Sequence, residues 1–376
     1  MIQHDEFGPE YVVSVYDAAV GMEGFLVIDN TAMGLGKGGI RMTQDVSVEE
    51  VFRLARTMTW KNALAGIPFG GAKAGMVWKG GSDAVKRRHV EAFARALKPF
   101  LLKKYIAGPD VNSGEKEMQW FAEAAGDWRS ATGKPANYCM AAFGKPGEKC
   151  GIPHEFGSTG FGVAKAARIA AELAGIDMKG ATVSIHGFGN VGTFAFRYLT
   201  EIGAKIVAIA DKSGAVYDAN GLNAKRVGDI IDSRKQVSAY GKAALISQED
   251  FWKIPVDILI PASVTDVINE TNKNGIKANI IVEAANIPMQ ESVEREFWQK
   301  GIMIVPDFVA NAGGVISSYA EYRGYNPKKM FELVERKITQ AAMLVMGRSL
   351  KTRKNPREVG LAIAKVIVRN ARPKKA

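Results

Sequence analysis

The chain of 376 residues predicts an α/β fold in two domains, a mixed N-terminal α/β domain followed by a doubly wound parallel-sheet domain. Three observations carry that prediction. Helices and short strands interleave irregularly up to about residue 150, apolar strands alternate regularly with helices from Ser158 onward, and a glycine-rich stretch, Gly187 to Gly192, sits at a strand-to-helix junction of the second region. Regular strand–helix alternation produces a parallel sheet covered on both faces. A chain of this length with 47% apolar composition can bury a full core and divide it between two domains.

In the first region, Ser47 and Glu50 open a capping box for SVEEVFRLARTMTWKNALAG. Val51, Leu54, Ala55 and Met58 recur there at helical spacing, and Gly66 and Pro68 end the helix. At about 100° per residue, Lys61 falls roughly 70° from the centre of the apolar stripe and borders the buried face. A snorkelling lysine and a functional one both fit that position. Lys73 follows a Gly-Gly-Ala turn and leads into the short apolar run AGMVW. A second helix, from about Asp83 to Leu102, packs through Val85, Val90, Phe93, Ala94 and Leu97, and the strand KYIAG delivers Asp110 at its exit.

In the second region, STGFGVAKAARIAAELAG reads as a helix capped by Ser158 or Thr159 and stopped near Gly175. The strands ATVSI, KIVAIAD, VDILIPAS, NIIVEAAN and IMIVPD follow. Several end in a polar or small residue, Asp211, Ser263, Asn286 and Asp307, and an open α/β sheet binds its ligands at the carboxyl ends of its strands. PDFVANAGGVISSYAEY then leads into a final helical region rich in Met, Val and Lys.

Composition excludes several classes. No apolar run reaches the roughly 18 residues a membrane span requires, and His4, Asp5, Glu6 and Glu10 are foreign to a secretory signal, so a cytoplasmic protein is expected. The net charge of +11 raises nucleic acid as a partner, but the basic residues are dispersed. Their densest group, Lys365, Arg369, Arg372, Lys374 and Lys375, reads as a solvated tail, and no nucleic-acid partner is expected. Cys139 and Cys150 read as reduced thiols, and four scattered histidines without an HExxH pattern leave no metal site.

Two clusters carry chemistry. Lys37 in GLGKGGIR, Lys61 in TMTWKNAL and Lys73 in FGGAKAG lie close in sequence and are followed by Asp110 in AGPDV, a grouping that calls for an anionic ligand. In VSIHGFGNVG, Gly187 permits the tight strand-to-helix turn, Gly189 lets a pyrophosphate approach the backbone and Gly192 lets helix pack on strand. The amides at the helix start then hold the phosphates. Asp211 reads as the carboxylate that accepts the ribose hydroxyls of NAD, or as a turn residue before Ser213 and Gly214, while Lys212 would neutralise the extra phosphate of NADP. No GxxxxGK[ST] pattern supports a phosphotransferase.

Together GKGGIRM, TMTWKNALAGIPFGGAKAG, GPDV, IHGFGNVG, EAAN and VANAGGVISS resemble the glutamate, leucine, phenylalanine and valine dehydrogenase superfamily, with the motifs in the family's order from roughly Gly24 to Tyr325. The resemblance implies a substrate-binding and oligomerisation domain over residues 1–152, a Rossmann domain over 153–312 and C-terminal helices over 313–376 that return to the first domain. It implies reversible NAD- or NADP-dependent oxidative deamination of an L-amino acid to a 2-oxo acid and ammonia, by a homo-oligomer, most often a hexamer. By the same resemblance Lys61 holds the substrate α-carboxylate, Lys73 is the catalytic lysine and Asp110 the proton-transferring aspartate. A desolvated lysine beside two other cations would have its charged form disfavoured, which suits Lys73 to that role. The resemblance further implies that Asn311, Gly313 and Val315 line the α-amino and α-carboxylate end, and that the cofactor meets Thr159, Gly187, Phe188, Gly189, Asn190, Val191, Gly192, Asp211, Lys212, Ala262, Ser263 and Asn286, with NAD favoured by Asp211.

For the substrate side chain, the resemblance pairs a lysine of the KGG motif and a serine after AGGV with the second carboxylate of glutamate. Lys37 and Ser318 occupy both positions. An unpaired lysine against an aliphatic side chain would be costly, which also points to glutamate. The short N-terminus and RLARTMTWKNALAG resemble the leucine branch instead, so leucine, valine or phenylalanine is the alternative.

Overall fold

The structure, a computed structural model, describes Ile2 and residues 4–138, 151–153, 156–241 and 244–371. Cys139, Cys150, Arg372, Lys374 and Lys375 lie outside these. The protein is α/β and divides into two compact units, Met1–Phe156 with Val315–Leu333 and Leu361–Ala376, and Gly157–Gly314 with Val334–Gly360.

The first unit is built on a mixed six-stranded sheet of β1 (Tyr11–Asp17), β2 (Met22–Asn30), β3 (Gly36–Lys37), β4 (Ile40–Thr43), β5 (Gly70–Val77) and β6 (Tyr105–Ile106). The order is β1-β2-β5-β3-β6, and β4 runs beside β5 further along. β1, β2 and β5 are antiparallel, whereas β3, β4 and β6 join in parallel. Because strand side chains alternate, the sheet carries two different faces. Leu26, Ile28, Ala72, Ala74 and Met76 enter the larger core with Phe93, Leu97 and Phe121 of α2 (Asp83–Leu97) and α3 (Glu115–Ala125). Val27 faces the other way and packs with Val46, Val51 and Ala55, the last two on α1 (Val48–Leu64).

Several local expectations change. Gly70 and Gly71 are strand residues of β5, not a turn before Lys73. A Cβ on Gly70 would lie 2.0 Å from the Asn30 carbonyl oxygen, and one on Gly71 would lie 2.0 Å from Thr59 Oγ1, so these glycines let β2 and α1 approach β5 closely. Ser47 caps α1 by accepting from the Glu50 amide at 3.2 Å, but the Glu50 carboxylate turns to Arg41 and the box is half formed. α2 stops at Leu97, and Leu102, where the helix was expected to end, has φ of +58°.

The second unit holds a seven-stranded sheet of order β10-β9-β8-β7-β11-β12-β13. β7 (Thr182–His186), β8 (Lys205–Asp211), β11 (Pro255–Pro261), β12 (Lys277–Val282) and β13 (Met303–Val305) are the five expected strands, and all are parallel. The antiparallel β9 (Gly214–Tyr217) and β10 (Leu245–Ile246) extend one edge. Its helices are α4 (Ser158–Leu173), α5 (Asn190–Glu201), α6 (Ala224–Asp232), α7 (Gln248–Phe251), α8 (Glu291–Gln299) and α9 (Asp307–Ala310). Neither Ser158 nor Thr159 caps α4. The N-cap is Gly157, at φ of +76°, and Ser158 is already helical and buried.

The last region forms α10 (Gly313–Tyr322), α11 (Pro327–Thr352) and α12 (Pro356–Ala371). Residues 313–376 do not return to the first unit as a block, because 334–360 group with the second. Ile338 packs on Gly162, and Arg357 enters a buried cluster where it meets Glu283, Glu294 and Asp307. At the far end Arg369 pairs with Glu6 and lies over Phe7, so this residue of the basic tail has a structural partner in the first unit.

Candidate functional site

In the first unit the three lysines are brought to one side of the sheet. Ala72 and Ala74 point into the α2–α3 core, so Lys73 between them points to the α1 face. On β3, a Cβ at Gly36 would meet the Ala72 side chain at 2.9 Å, which places Lys37, the next residue, on the α1 face as well. Lys61 lies in the last turn of α1 and is 7% exposed, so it is drawn into the unit instead of snorkelling outward. Lys37 and Lys73 are as deeply buried, at 3% and 6%.

Lys73 Nζ lies 3.2 Å from Asp110 Oδ2. Arg41 on β4 reaches the same oxygen with Nε at 2.9 Å, and its Nη1 bonds Glu50 Oε1 at 2.5 Å. The Asp110 backbone is fixed by its amide, which donates to Ser113 Oγ at 2.9 Å, and Ser113 Oγ donates in turn to the Ile40 carbonyl. Burial opposes the charge on Asp110, but Lys73 and Arg41 outweigh it and hold the carboxyl at about 2. The Asp110 carboxylate is therefore ionised at neutral pH.

Lys37 Nζ donates to the Ala107 carbonyl at 2.9 Å. Burial lowers its pKa to about 7; Glu321 opposes the drop, while Lys73 and Lys134 add to it. Glu321 is fully buried on α10 and pairs with the equally buried Lys134; its Oε2 accepts from the amides of Gly133 at 2.7 Å and Ile152 at 2.9 Å. Lys134 Nζ also sits 3.9 Å from the centre of the Trp128 ring. Ser318 is buried one helical turn before Glu321, on the same face of α10. Val315, a turn earlier, is partly buried.

In the second unit the glycines divide their tasks. Gly187 has φ of +100°, and a Cβ there would lie 2.5 Å from the Ser263 amide nitrogen. A Cβ at Gly192 would lie 2.0 Å from the Gly187 carbonyl oxygen. No described atom outside its immediate neighbours comes within 4 Å of a Cβ built at Gly189, so nothing in the packing there requires a glycine. That is the fit expected of a backbone approached by a pyrophosphate. Phe188 precedes this glycine, and Asn190 and Val191 open α5, where the first amides of a helix are left for a ligand. Thr159 stands in the first turn of α4, against which Gly313 packs with no room for a side chain.

Asp211 does act as a turn residue. Its Oδ1 accepts from the Ser213 amide at 2.7 Å and from Ser213 Oγ at 2.5 Å, and its Oδ2 accepts from the Val237 amide at 2.9 Å. A carboxylate offers about four lone-pair sites, so capacity for a ribose hydroxyl remains. Lys212 beside it is exposed. The Ala262 amide donates to the His186 carbonyl at 2.7 Å, and Ser263 Oγ is 2.9 Å from His186 Nδ1. Burial lowers the His186 pKa to about 4.

Asn311 Nδ2 donates to Asn286 Oδ1 at 3.1 Å, while Asn311 Oδ1 is buried with no partner among the described residues. Asn286 is followed by Ile287, at φ of +48°, whose amide donates to Asp307 Oδ2 at 3.0 Å.

Sequence reasoning assigned no site role to Arg41, Ser113, Lys134 or Glu321, and gave Glu50 only a place in the α1 capping box. Arg41 stood inside the quoted GKGGIRM, four residues from Lys37 and so on the same short stretch, which was the one available signal.

Two family models match the chain. One, described as Glutamate/Leucine/Phenylalanine/Valine dehydrogenase, covers residues 150–366, and the other, described as Glu/Leu/Phe/Val dehydrogenase, dimerisation domain, covers 9–126. Over 298 residues the chain is 37% identical to the glutamate dehydrogenase of Aeropyrum pernix, spanning 78% of this chain and 70% of the relative. It is 36% identical over 328 residues to the NADP-specific glutamate dehydrogenase of Saccharolobus shibatae, spanning 84% and 75%. Among solved structures, the hetero-hexameric glutamate dehydrogenase from Thermus thermophilus, in a leucine-bound form, aligns with a TM-score of 0.83 over 96% of this chain and 89% of that one. Its 23% identity makes this a likeness of fold.

Proposed function

This chain belongs to the glutamate/leucine/phenylalanine/valine dehydrogenase family, and we propose on that premise that it carries out the reversible NAD(P)-dependent oxidative deamination of L-glutamate to 2-oxoglutarate and ammonia. The observation that carries the reading is the buried Lys73–Asp110 contact of 3.2 Å on the sheet face that also holds Lys37.

In this reading Lys61 binds the α-carboxylate, and Lys37 with Ser318 binds the carboxylate of the side chain. Lys73 stabilises negative charge that develops on the α-oxygen and exchanges a proton with the water that adds to the imino acid. Asp110 passes protons between the substrate nitrogen and Lys73. Asn311 Oδ1, buried with no partner among the described residues, is suited to accept a hydrogen bond from the α-amino group. A bound nicotinamide would supply the acceptor for the α-hydrogen as hydride. Gly187, Gly189 and Gly192 with the start of α5 would hold its pyrophosphate, and the remaining capacity of Asp211 for a ribose hydroxyl favours NAD.

The experiment is nicotinamide reduction measured with glutamate, leucine, valine and phenylalanine, each with NAD and NADP. Glutamate should dominate, and activity with only the aliphatic or aromatic substrates would move the chain to the alternative branch. Lys73→Ala should lose turnover by at least about a hundredfold, and near-normal turnover would remove Lys73 from the chemistry.

We further propose a cytoplasmic homo-oligomer, with a hexamer as the expected size. The family description of residues 9–126 supports self-association, as does β1, an edge strand whose Tyr11, Val12 and Tyr16 are exposed. Light scattering during size-exclusion chromatography tests it, and a monomer would refute it.

A further inference from the structure

We propose that Arg41 is a positioning residue that keeps Asp110 ionised and turned toward Lys73, and that Glu50 regulates how firmly it does so by sharing its guanidinium. The inference rests on the assignment of Lys73 and Asp110 above and adds the group that governs the charge of Asp110.

The geometry is specific. Asp110 Oδ2 is approached by Lys73 Nζ at 3.2 Å and by Arg41 Nε at 2.9 Å, so two cations converge on one oxygen of a carboxylate whose side chain is 14% exposed. Arg41 comes from β4, which pairs along β5 with Arg41 opposite Gly75, two residues beyond Lys73. The two cations are thus delivered by adjacent strands and cannot drift independently. Arg41 does not belong to Asp110 alone, since Nη1 holds Glu50 in the first turn of α1, the helix that carries Lys61 in its last turn.

The groups facing Asp110 can be named element by element. Lys73 faces it from β5 and Arg41 from β4. Tyr105 lies on β6, kept as a neutral phenol by burial and by Asp110 itself, with its hydroxyl donating to the Gly38 carbonyl at 3.0 Å. Ser113 accepts from the Asp110 amide, and Glu50 of α1 acts through Arg41. Arg41 stays charged at any working pH, whereas Lys73 is expected to change protonation during turnover, so Arg41 is the lasting source of the field on Asp110. When Lys73 is neutral, Arg41 alone would prevent Asp110 from drawing a proton out of the cycle.

The test compares wild type with Arg41→Met, Arg41→Lys and Glu50→Gln. Two readouts are taken: the pH profile of kcat with glutamate, and the carboxyl carbon titration of Asp110 in protein labelled at aspartate, with Asp110→Asn identifying the signal. In Arg41→Met the Asp110 midpoint and the acid limb of kcat should rise together by about one to three pH units. Arg41→Lys should recover most of that shift by restoring a cation. In Glu50→Gln the midpoint should fall below that of wild type, because Arg41 is left to Asp110, and an unchanged midpoint would remove Glu50 from the proposal.

A uniform loss of kcat in Arg41→Met with an unmoved Asp110 midpoint would overturn the proposal. So would a midpoint in Arg41→Lys no lower than in Arg41→Met. The carboxyl titration needs no turnover, so a wild-type protein inactive on glutamate would defeat the functional assignment while the Arg41 effect was still read directly.

Discussion

Lys37 offers the most quantitative test of the substrate assignment. The residue is 3% exposed, and burial brings its pKa from 10.5 to about 7, a penalty of roughly 5 kcal/mol on the charged form. A dicarboxylate whose second carboxylate docks against Lys37 restores the charge, so binding above pH 7 must take up a proton. Each pH unit above 7 then costs about tenfold in affinity, or about 1.4 kcal/mol, and between pH 7 and 9 the dissociation constant should rise roughly 50-fold. 2-Oxoglutarate is the ligand of choice because it has no group that titrates in this window, and 4-methyl-2-oxopentanoate, with the same 2-oxo acid end, is the control. Isothermal titration calorimetry in buffers of different ionisation heat reads both affinity and proton uptake. Uptake should approach one proton per site at pH 9 with 2-oxoglutarate, fall to near zero with the control, and vanish in Lys37→Leu. A flat affinity for 2-oxoglutarate from pH 7 to 9 without proton uptake would refute the reasoning.

Arg357→Met should destabilise the protein by about 3–5 kcal/mol in urea unfolding, because three buried carboxylates, Glu283, Glu294 and Asp307, lose a cation they share. Burial already raises Glu283 and Glu294, so the folded chain holds protons that the unfolded chain releases; the defect should be smallest at acid pH and grow as pH rises through the folded pKa values, and a pH-independent loss would contradict this. Gly71→Ala should abolish activity and lower the melting temperature sharply, since the added Cβ would sit 2.0 Å from Thr59 Oγ1 and 2.4 Å from Thr59 N. Gly228→Ala within α6 meets no described atom within 4 Å and should instead stabilise by about 0.4–1 kcal/mol; equal melting curves for the two variants would invalidate the packing argument.

The parts of the fold legible in the sequence are those fixed by local pattern. The five parallel strands of the second unit are apolar runs with polar or small punctuation, and Gly187 to Gly192 announce a turn that any chain with those residues can make. β1 was hidden because it is an exposed edge whose alternation is blurred by Tyr11 and Val12 pointing partly to solvent. β9 and β10 are too short to show a period. The lysines were visible through their glycine surroundings, but what sets their charge was not. Arg41 meets Asp110 69 residues on, and Lys134 meets Glu321 187 residues on, pairings decided by sheet order and by the return of α10. The split of the last helices was equally invisible, since nothing near Arg357 in sequence signals Glu283, Glu294 and Asp307.

Ile287 gives Asn286 a property that its own neighbourhood could not supply. A β-branched residue in the left-handed region is disfavoured by about 1–3 kcal/mol, and a short peptide spanning EAANIP would relax to extended backbone. Here the conformation is imposed by the Ile287 amide on Asp307, which Arg357 holds from α12, and by the Asp266 amide on the Ile287 carbonyl at 3.0 Å. The direction in which Asn286 faces is therefore a long-range property, transmitted from the C-terminal helix through one carboxylate. Substitutions at positions 357 and 286 should be energetically coupled through Asp307 and the Ile287 backbone, so the turn that carries Asn286 takes its shape from a residue far away in the sequence.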